Sequence, residues 1–463
     1  MSTITSDELT QQARDHLLLH FSKQGLDDLL VLERGEGPYV FDTHGNRYID
    51  ALSSLFCAQI GYSHGEEMAA AAAKQMSTLA FNTNWGTAHP PAIELAAKLA
   101  EVAPGDLNHV FFTSGGSEAV EAAWKLVREH FLAKGEPQRT KAIARHIAYH
   151  GVTLGALAFT GVPKFKEPFG RPAIDVTHVS NTNAFRAPDG DDPEALRRRL
   201  LAEVDDAIQA AGPDEVALII AEPVQNAGGC LVPPAGYWEG LRELADRYGA
   251  LLMSDEVICG CGRLGEWVAA PRFGAVPDLV SLAKGLTSAY APMGAVLAAE
   301  KVIAPILETG AVYRHGITFG GHPVAAAVAL QNMAIFERDG VLENVRELTP
   351  HLAQRMDTLR ELPIVGDVRG DGFFWAVEMV ADADATPFDQ GQRDRLIRGF
   401  LPKRLRDAGL IARADDRGDS VVQIAPPLIA DRRVLDEIVG RLGEVLDDAG
   451  THMGVAASAG AAR

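Results

Sequence analysis

The sequence predicts an α/β fold with a large, mostly parallel sheet and a smaller α+β unit. Residues 215–224 (EVALIIAEPV) and 249–257 (GALLMSDEV) are continuous apolar runs, as expected for strands that are covered on both faces. Helical patterns separate such runs, and strands that alternate with helices favour a parallel sheet. The last portion differs, because residues 368–380 and 419–429 are predicted as strands among helices.

The other elements follow in chain order. Residues 31–52 contain two hairpin-like turns, at Gly-Glu-Gly and His-Gly-Asn, and fit either unit. HVFFT at 109–113 is predicted as a strand that runs into a helix over 114–131. A further strand is predicted within 278–286, and the Gly/Ala/Ser-rich residues 450–463 are predicted to form a flexible tail.

Charge and composition exclude several classes of function. The formal net charge of -19 over 463 residues argues against nucleic acid or an anionic membrane as a partner. The four cysteines form no Cys-x-x-Cys pair, so no disulfide scaffold and no metal site is expected. The N-terminus lacks the pattern of a signal peptide, and no apolar run reaches the roughly 20 residues that span a bilayer. We therefore expect a cytoplasmic protein.

A glycine-rich segment marks a candidate phosphate site. Residues 113–119 (TSGGSEA) stand at a predicted strand-to-helix junction. Glycines let the backbone approach a ligand closely, and the free N–H groups of a helix N-terminus favour a phosphate. On this motif alone, a glycine turn with a serine cap is the commoner explanation.

Three titratable residues stand at predicted strand ends. Asp255 and Glu222 occupy the carboxyl ends of two apolar runs, where ligands bind in open α/β sheets, although ion-paired or capping residues are as common there. Lys284 ends a third apolar run and precedes a glycine. A desolvated lysine has a lowered pKa and acts as a Schiff-base nucleophile, whereas a lysine that extends to water is an equally common explanation.

These signals gain weight in combination. A phosphate site, a carboxylate for a pyridine nitrogen and a lysine for an aldehyde match the three chemical groups of pyridoxal phosphate (PLP). Tyr149, in AYHGVT, offers an aromatic ring to stack on the cofactor. The spacing of SGGSEA differs from Gly-x-Gly-x-x-Gly, which argues against a dinucleotide-binding dehydrogenase.

The sequence resembles the class III, omega-type PLP-dependent aminotransferases from about residue 30 to 445. The segments that match in order and spacing are FFTSGGSEA, AYHGVTLGALAFTG, AEPVQNAGG, LLMSDEVICGCGRLGEW, PDLVSLAKGLTSAYAPMGAV and HGITFGGHPVAA. The resemblance implies fold type I and a homodimer, or a tetramer of two dimers, with shared active sites. It implies a large PLP-binding domain over 61–325 and a small α+β domain over 326–449, to which an N-terminal segment, 1–60, contributes.

The resemblance also implies roles for individual residues. Lys284 would bind the cofactor covalently and move protons, and Asp255 would hold the proton of the pyridine nitrogen. Val257 and Tyr149 would pack on the two faces of the ring. The remaining implied residues are Gly115, Gly116 and Ser117 at the phosphate, Glu222 and Gln225 beside the ring, Thr318 at the phosphate of the neighbouring subunit's cofactor, and His150 as a structural neighbour of Tyr149.

The chain departs from the family at two places. SGGS at 114–117 stands where the family often has Asn-Ser-Gly-Ser, which leaves Gly115 as a backbone donor only. Phe56 stands where the omega group often has tryptophan, which implies a wider or less polar pocket. Phe56, Trp85 and Tyr149 are candidate substrate walls, and for Phe56 and Trp85 plain core packing is an equally good explanation.

The resemblance implies two substrates, an amine donor and a keto-acid acceptor. His322 stands where ornithine-type members carry asparagine, which favours the branch that uses pyruvate. Arg413 is the implied carboxylate-binding arginine, Arg417 is its rival, and a solvated surface arginine is the plain alternative. The expected donor is a diamine, polyamine, arylalkylamine or β-alanine-like amine, in a ping-pong reaction. The acidic pair Asp415 and Asp416, expected near the entrance, is compatible with a donor that has a cationic tail. The alternatives are an aminomutase, a racemase or a decarboxylating transaminase; Lys284 and Asp255 argue against a non-catalytic PLP-binding protein.

Overall fold

The computed structural model describes residues 5–24, 29–310 and 312–455. The strands in these ranges are β1 (Leu32–Glu36), β2 (Tyr39–Asp42), β3 (Arg47–Asp50), β4 (His109–Thr113), β5 (Lys141–Arg145), β6 (Asp175–Val179), β7 (Val216–Ala221), β8 (Leu251–Asp255), β9 (Leu279–Leu282), β10 (Gly294–Ala298), β11 (Val365–Asp371), β12 (Phe374–Met379), β13 (Leu410–Ile411), β14 (Arg413–Asp415) and β15 (Val421–Ile424). The α-helices are α1 (Ser6–His16), α2 (Ser53–Phe56), α3 (Gly65–Thr78), α4 (Pro90–Val102), α5 (Gly116–Ala133), α6 (Leu154–Phe159), α7 (Pro163–Lys166), α8 (Pro193–Ala211), α9 (Tyr237–Tyr248), α10 (Glu300–Thr309), α11 (Pro323–Arg338), α12 (Val341–Asp357), α13 (Gln390–Arg393), α14 (Leu401–Asp407) and α15 (Arg432–Met453). A π-helix over Asp394–Phe400 joins α13 to α14.

The largest sheet contains seven of these strands in the order β4-β10-β9-β8-β7-β5-β6. Only β10 runs against its neighbours β4 and β9, so the predicted mostly parallel sheet is confirmed. Leu218 and Ile220 of β7 join the core that contains α5, whereas Ile219 joins the core that contains α8 and α9. Helices therefore cover both faces, which is why these runs are apolar without interruption.

Two smaller sheets have the orders β1-β2-β3-β13 and β11-β12-β15-β14. Strands β1, β2 and β3 form the antiparallel meander that the two hairpin-like turns predict. Strand β13 pairs in parallel with β3, so segments from near both ends of the chain share one sheet. The domain boundaries after residues 60, 325 and 449 stay predictions.

Two expectations are wrong. Residues 368–380 do not form one strand, because Gly372 adopts a φ of 55° and the chain reverses there between β11 and β12. Residues 450–453 are not a tail, because α15 extends to Met453 and Gly450 is buried against Ile364. The rest of the predicted tail, 456–463, lies outside the described residues.

None of the helices in the described ranges combines the length and apolar character needed to cross a bilayer.

Candidate active site

A cavity of about 870 Å³ lies at the carboxyl ends of three neighbouring parallel strands. Glu222 directly follows β7, Asp255 is the last residue of β8, and Lys284 comes two residues after β9. All three line the cavity. Parallel strands place their carboxyl ends along one edge of a sheet, so residues about 30 positions apart in the chain meet in one place.

The N-terminus of α5 forms another part of the wall, through Gly116 and Ser117. No side chain in the described part of the chain caps this helix, so the N–H groups of its first turn are free to bind an anion. A Cβ atom at Gly116 would lie 3.0 Å from Val257 Cγ1, so glycine allows the helix to approach Val257. Gly115 has extended backbone and does not itself line the cavity.

The Asp255 carboxylate is almost completely buried, with 4% of the residue exposed, and is held from two sides. Its Oδ1 accepts hydrogen bonds from Ser281 Oγ at 3.0 Å and from the Val257 N–H at 3.2 Å. Its Oδ2 lies 2.7 Å from His150 Nδ1. Because an ionised carboxylate only accepts, the contact assigns the proton to His150 Nδ1. His150 thereby positions Asp255 and is more than a structural neighbour of Tyr149.

Lys284 extends into the cavity from a strained backbone position. Its φ of 45° lies in the left-handed region, which a lysine rarely adopts and which the surrounding structure must therefore stabilise. Burial lowers the pKa of its amine, against the opposing charges of Cys57, Asp255 and Glu222. The amine forms no ion pair within 4 Å among the described residues, and it lies 5.8 Å from the ring centroid of Phe56. A buried amine with a lowered pKa is a competent nucleophile.

Glu222 connects two segments of the wall. Its Oε1 accepts from the Tyr149 N–H at 3.3 Å and its Oε2 from the Asn226 N–H at 3.0 Å. Burial raises the pKa of the Glu222 carboxyl, and the nearby Asp255 adds to this rise. Gln225 is buried behind the wall, where its amide donates to the carbonyls of His146 and Ala227, and it does not line the cavity.

The two candidate arginines have different surroundings. Arg417 forms a buried ion pair with Asp415, at 2.6 Å between Nη2 and Oδ2, and its guanidinium lies 5.8 Å from the centre of the Tyr149 ring. Arg413 also lines the cavity but has no ion pair or hydrogen bond within the described part of the chain. Burial, and then the charge of Arg417, lowers the pKa of Arg413 to about 10, so it stays charged at neutral pH. The guanidinium that is available for a carboxylate is that of Arg413.

Comparison with known proteins gives the family of this chain. Residues 21–446 match the model of the class III aminotransferases.

The chain is a class III aminotransferase.

Its relatives include a probable aminotransferase of Mycobacterium tuberculosis, 48% identical over 96% of both chains, and a putrescine–pyruvate aminotransferase of Pseudomonas aeruginosa, 38% identical over 90% of both chains. Among solved structures, an (S)-enantioselective omega-transaminase from Thermomicrobium roseum superimposes with a TM-score of 0.93 at 38% identity and covers 97% of this chain and 100% of its own. An omega-transaminase from Pseudomonas jessenii, in complex with PMP, has a TM-score of 0.91 at 36% identity, with coverage of 97% and 100%. The predicted family and fold type I are confirmed.

Class III aminotransferases use PLP, and the cavity of this aminotransferase fits that cofactor. The uncapped N-terminus of α5 suits a phosphate, the buried Asp255 suits a protonated pyridine nitrogen, and the amine of Lys284 suits an aldehyde. Phe56 is buried, and its ring packs edge-on against that of Phe374, with 5.6 Å between the ring centres. Phe56 also lines the cavity, so it belongs both to the hydrophobic core and to the wall of the cavity.

Besides Gly115 and Gln225, two further predicted site residues of the aminotransferase do not line this cavity. Trp85 is 64% exposed, and Thr318 is exposed on a turn. Both belong to one surface, because a Cβ atom at Gly316 would lie 2.7 Å from Trp85 Cζ2. Trp85 is therefore not a wall of this chain's own cavity. The role of Thr318 at a neighbouring subunit stays a prediction.

Two residues that line the cavity were not predicted from the sequence. Phe21, from the N-terminal segment, lines it and lies 5.1 Å from the Phe165 ring. Arg398, of the π-helix, also lines it. Both come from distant segments and give no local signal. Asp416 lines the cavity as well, in agreement with the expected place of the acidic pair near the entrance. Ser281 does not line the cavity but holds Asp255, and it is predictable because a serine inside an apolar strand needs a buried partner.

Proposed function

We propose that this aminotransferase moves an amino group from an amine without an α-carboxylate, such as a diamine, polyamine, arylalkylamine or β-alanine-like donor, to pyruvate. The supporting observation is that Arg413 is an unpaired guanidinium in the cavity that contains Lys284. A keto acid presents a carboxylate, which a guanidinium binds with two parallel hydrogen bonds. The putrescine–pyruvate aminotransferase among the relatives supports this choice of substrates.

The residues of the cavity divide the chemistry among them. PLP, when bound, supplies an aldehyde that binds amines covalently and a ring that accepts electrons from the substrate carbon. Lys284 would accept a proton from that carbon and return it on the cofactor side, which its lowered pKa favours because the amine must be neutral to act as a base. Asp255, positioned by His150 and Ser281, would keep the ring nitrogen protonated. Tyr149 and Val257, which both line the cavity, would hold the ring from its two faces.

Donor and acceptor use the same cavity in turn, which gives ping-pong kinetics. In the second half-reaction Arg413 binds the carboxylate of pyruvate. In the first, an uncharged donor chain meets Phe56 and Tyr149, and Arg413 turns aside to admit it. The Asp415–Arg417 ion pair stays intact in both half-reactions, because breaking it would leave two buried charges unpaired.

We also propose that two copies of the chain associate through an exposed apolar surface. Phe81, Trp85 and Phe319 are 40%, 64% and 60% exposed, and the rings of Phe81 and Phe319 lie 5.6 Å apart. Exposed aromatic clusters of this kind mark protein–protein interfaces. A dimer in sedimentation that dissociates in Phe319→Glu supports this proposal, and a monomeric wild type contradicts it. A cytoplasmic location stays a prediction.

The experiment that tests the function is an absorption titration of the PLP-loaded protein. Amines without an α-carboxylate are added first, and then pyruvate. We expect the cofactor band near the visible edge to bleach with the amine and to return with pyruvate. Bleaching only by α-amino acids contradicts the donor class. No cycle with any amine or amino acid contradicts transamination and favours a mutase, racemase or decarboxylase on the same fold.

A further inference from the structure

Three charged side chains form an unbalanced group at one wall of the cavity. Arg398, on the π-helix, pairs with Asp394 at 2.7 Å through Nη1 and with Asp416 at 2.7 Å through Nη2. One guanidinium thus lies between two carboxylates, and the group carries one excess negative charge. Nothing in the chemistry assigned to Lys284 or Arg413 uses this excess.

The two carboxylates differ in position. Asp416 lines the cavity, and only 15% of its side chain is exposed. Its Oδ1 has no hydrogen-bond or ion-pair partner among the residues that the structure describes. Asp394 does not line the cavity, is 53% exposed, and accepts a second hydrogen bond from Gln390 at 3.1 Å. Asp416 is therefore the carboxylate that is both accessible from the cavity and incompletely paired.

Arg398 can leave Asp416 without losing its charge partner. Half of its side chain is exposed, so the pair with Asp416 is partly solvated and weak. When a second cation reaches Asp416, Arg398 keeps its contact with Asp394 through the other nitrogen. The exchange leaves no unpaired charge on the protein, which makes the site ready to accept a cation in place of Arg398.

The other carboxylates that line the cavity are already engaged. Asp415 is neutralised by the buried Arg417, Asp255 is held by His150 and Ser281, and Glu222 accepts hydrogen bonds from two backbone N–H groups. Arg413 attracts anions and repels an ammonium group. For a molecule with one amine at Lys284, Asp416 is therefore the incompletely paired carboxylate, among the described residues that line the cavity, that remains for a second ammonium.

We propose that Asp416 binds the distal ammonium group of a diamine or polyamine donor, with Arg398 as the counterion that it exchanges. This inference rests on the proposed function and selects one donor class from it. A monoamine of the same length has no group to place at Asp416, so the preference is for the second positive charge and not for chain length.

The test compares Asp416→Asn with Asp394→Asn. Both remove one carboxylate from Arg398, but only the first removes one from the cavity wall. The substrates are putrescine and pentylamine, which have equal length and differ by one charge, with pyruvate as acceptor. We expect Asp416→Asn to lower the ratio of kcat/KM for putrescine over pentylamine by about tenfold, the loss of one charged hydrogen bond. The Asp394→Asn ratio stays within about twofold of wild type.

A binding measurement tests the role of Asp416 without requiring that the enzyme turn over the ligand. Tetramethylputrescine carries two charges but cannot react, because its nitrogens are tertiary, and N,N,5-trimethylhexylamine is its singly charged match of the same shape. Calorimetry on the wild-type holoenzyme should give tighter binding of the dication by about tenfold, and Asp416→Asn should abolish this difference. Equal binding of both ligands by the wild type overturns the inference even where the variant fails to fold.

The outcomes separate the two proposals. No turnover of either amine with pyruvate contradicts the proposed function. Turnover of both amines, with the same charge preference in wild type and both variants, leaves the function standing and overturns the role of Asp416. A loss of preference in Asp394→Asn that equals the loss in Asp416→Asn also overturns it, because the effect then comes from Arg398.

Discussion

The cavity has one wall at the ends of buried strands and another on exposed helices and loops. The strand wall is defined as Glu222, Asp255 and Lys284. Its two carboxylates accept buried hydrogen bonds, and Asp255 and Glu222 are each 4% exposed. The exposed wall, defined as Phe21, Arg398 and Asp416, comes from three separate chain segments. Phe21 is 69% exposed and the side chain of Arg398 51%.

This difference separates the reaction from the choice of donor. The strand wall fixes the atoms that act on the cofactor, because a buried hydrogen-bond network has one arrangement and is costly to alter. The exposed wall uses contacts that exchange cheaply with solvent or ligand. Changes in the strand wall should therefore abolish activity with every donor, whereas changes in the exposed wall should alter the ranking of donors. The following predictions run from the largest expected effect to the smallest.

Lys284→Ala should lower kcat by about 1000-fold or more with every donor, because it removes both the covalent attachment and the proton carrier. Steady-state kinetics and the loss of the cofactor band on denaturing gel filtration measure the effect. Lys166→Ala is the matched control, since burial also lowers the pKa of Lys166, to about 8, but this lysine lines a separate surface pocket. Equal losses in both variants would contradict the role of Lys284.

Asp255→Asn should lower kcat by about 100-fold, because a neutral amide does not keep the ring nitrogen protonated. Ser281→Ala removes one hydrogen bond to the same carboxylate and should cost about tenfold or less. Both losses should be the same for all donors. A loss in Asp255→Asn that depends on the donor would show that the strand wall also selects substrates.

Arg413→Ala should raise the KM for pyruvate by about 10- to 100-fold and leave the KM for a monoamine nearly unchanged. Arg417→Ala should instead lower the free energy of unfolding by about 3 kcal/mol, because it leaves the buried Asp415 carboxylate unpaired. Kinetics and denaturant titration distinguish the two. The reverse pattern, with pyruvate affinity lost in Arg417→Ala, would make Arg417 the carboxylate-binding residue.

Phe21→Ala should raise the KM for an arylalkylamine about threefold, the value of one partly exposed aromatic contact. Putrescine should be affected less, since it offers no ring. Phe169→Ala is the control, because Phe169 is 65% exposed and lines another pocket. If the two variants have the same KM for the arylalkylamine, Phe21 does not contact the donor.

The same contrast between the two walls explains which residues of the site can be predicted from the sequence alone. The strand wall was predictable, because apolar runs locate strands and the carboxyl ends of parallel strands share one edge. The turn at Gly372 was overlooked, although Asp-Gly is a turn signal, because apolar residues continue on both sides of it. Of the exposed wall, Phe21 and Arg398 were not predictable, since only tertiary packing brings them to the same cavity, and a local pattern contains no information on that.

The pairing of β13 with β3 sets an order of events during synthesis. About 360 residues separate the two strands, so at ribosomal speeds β3 waits on the order of 20 to 70 s for its partner. During that time β4 to β10 are already complete and their sheet is free to form. Lys284 and Asp255 are thus synthesised before Arg413 and Asp416, and a chain that stops short of β13 should contain the residues proposed to bind the cofactor but lack the arginine and the aspartate proposed to select its substrates.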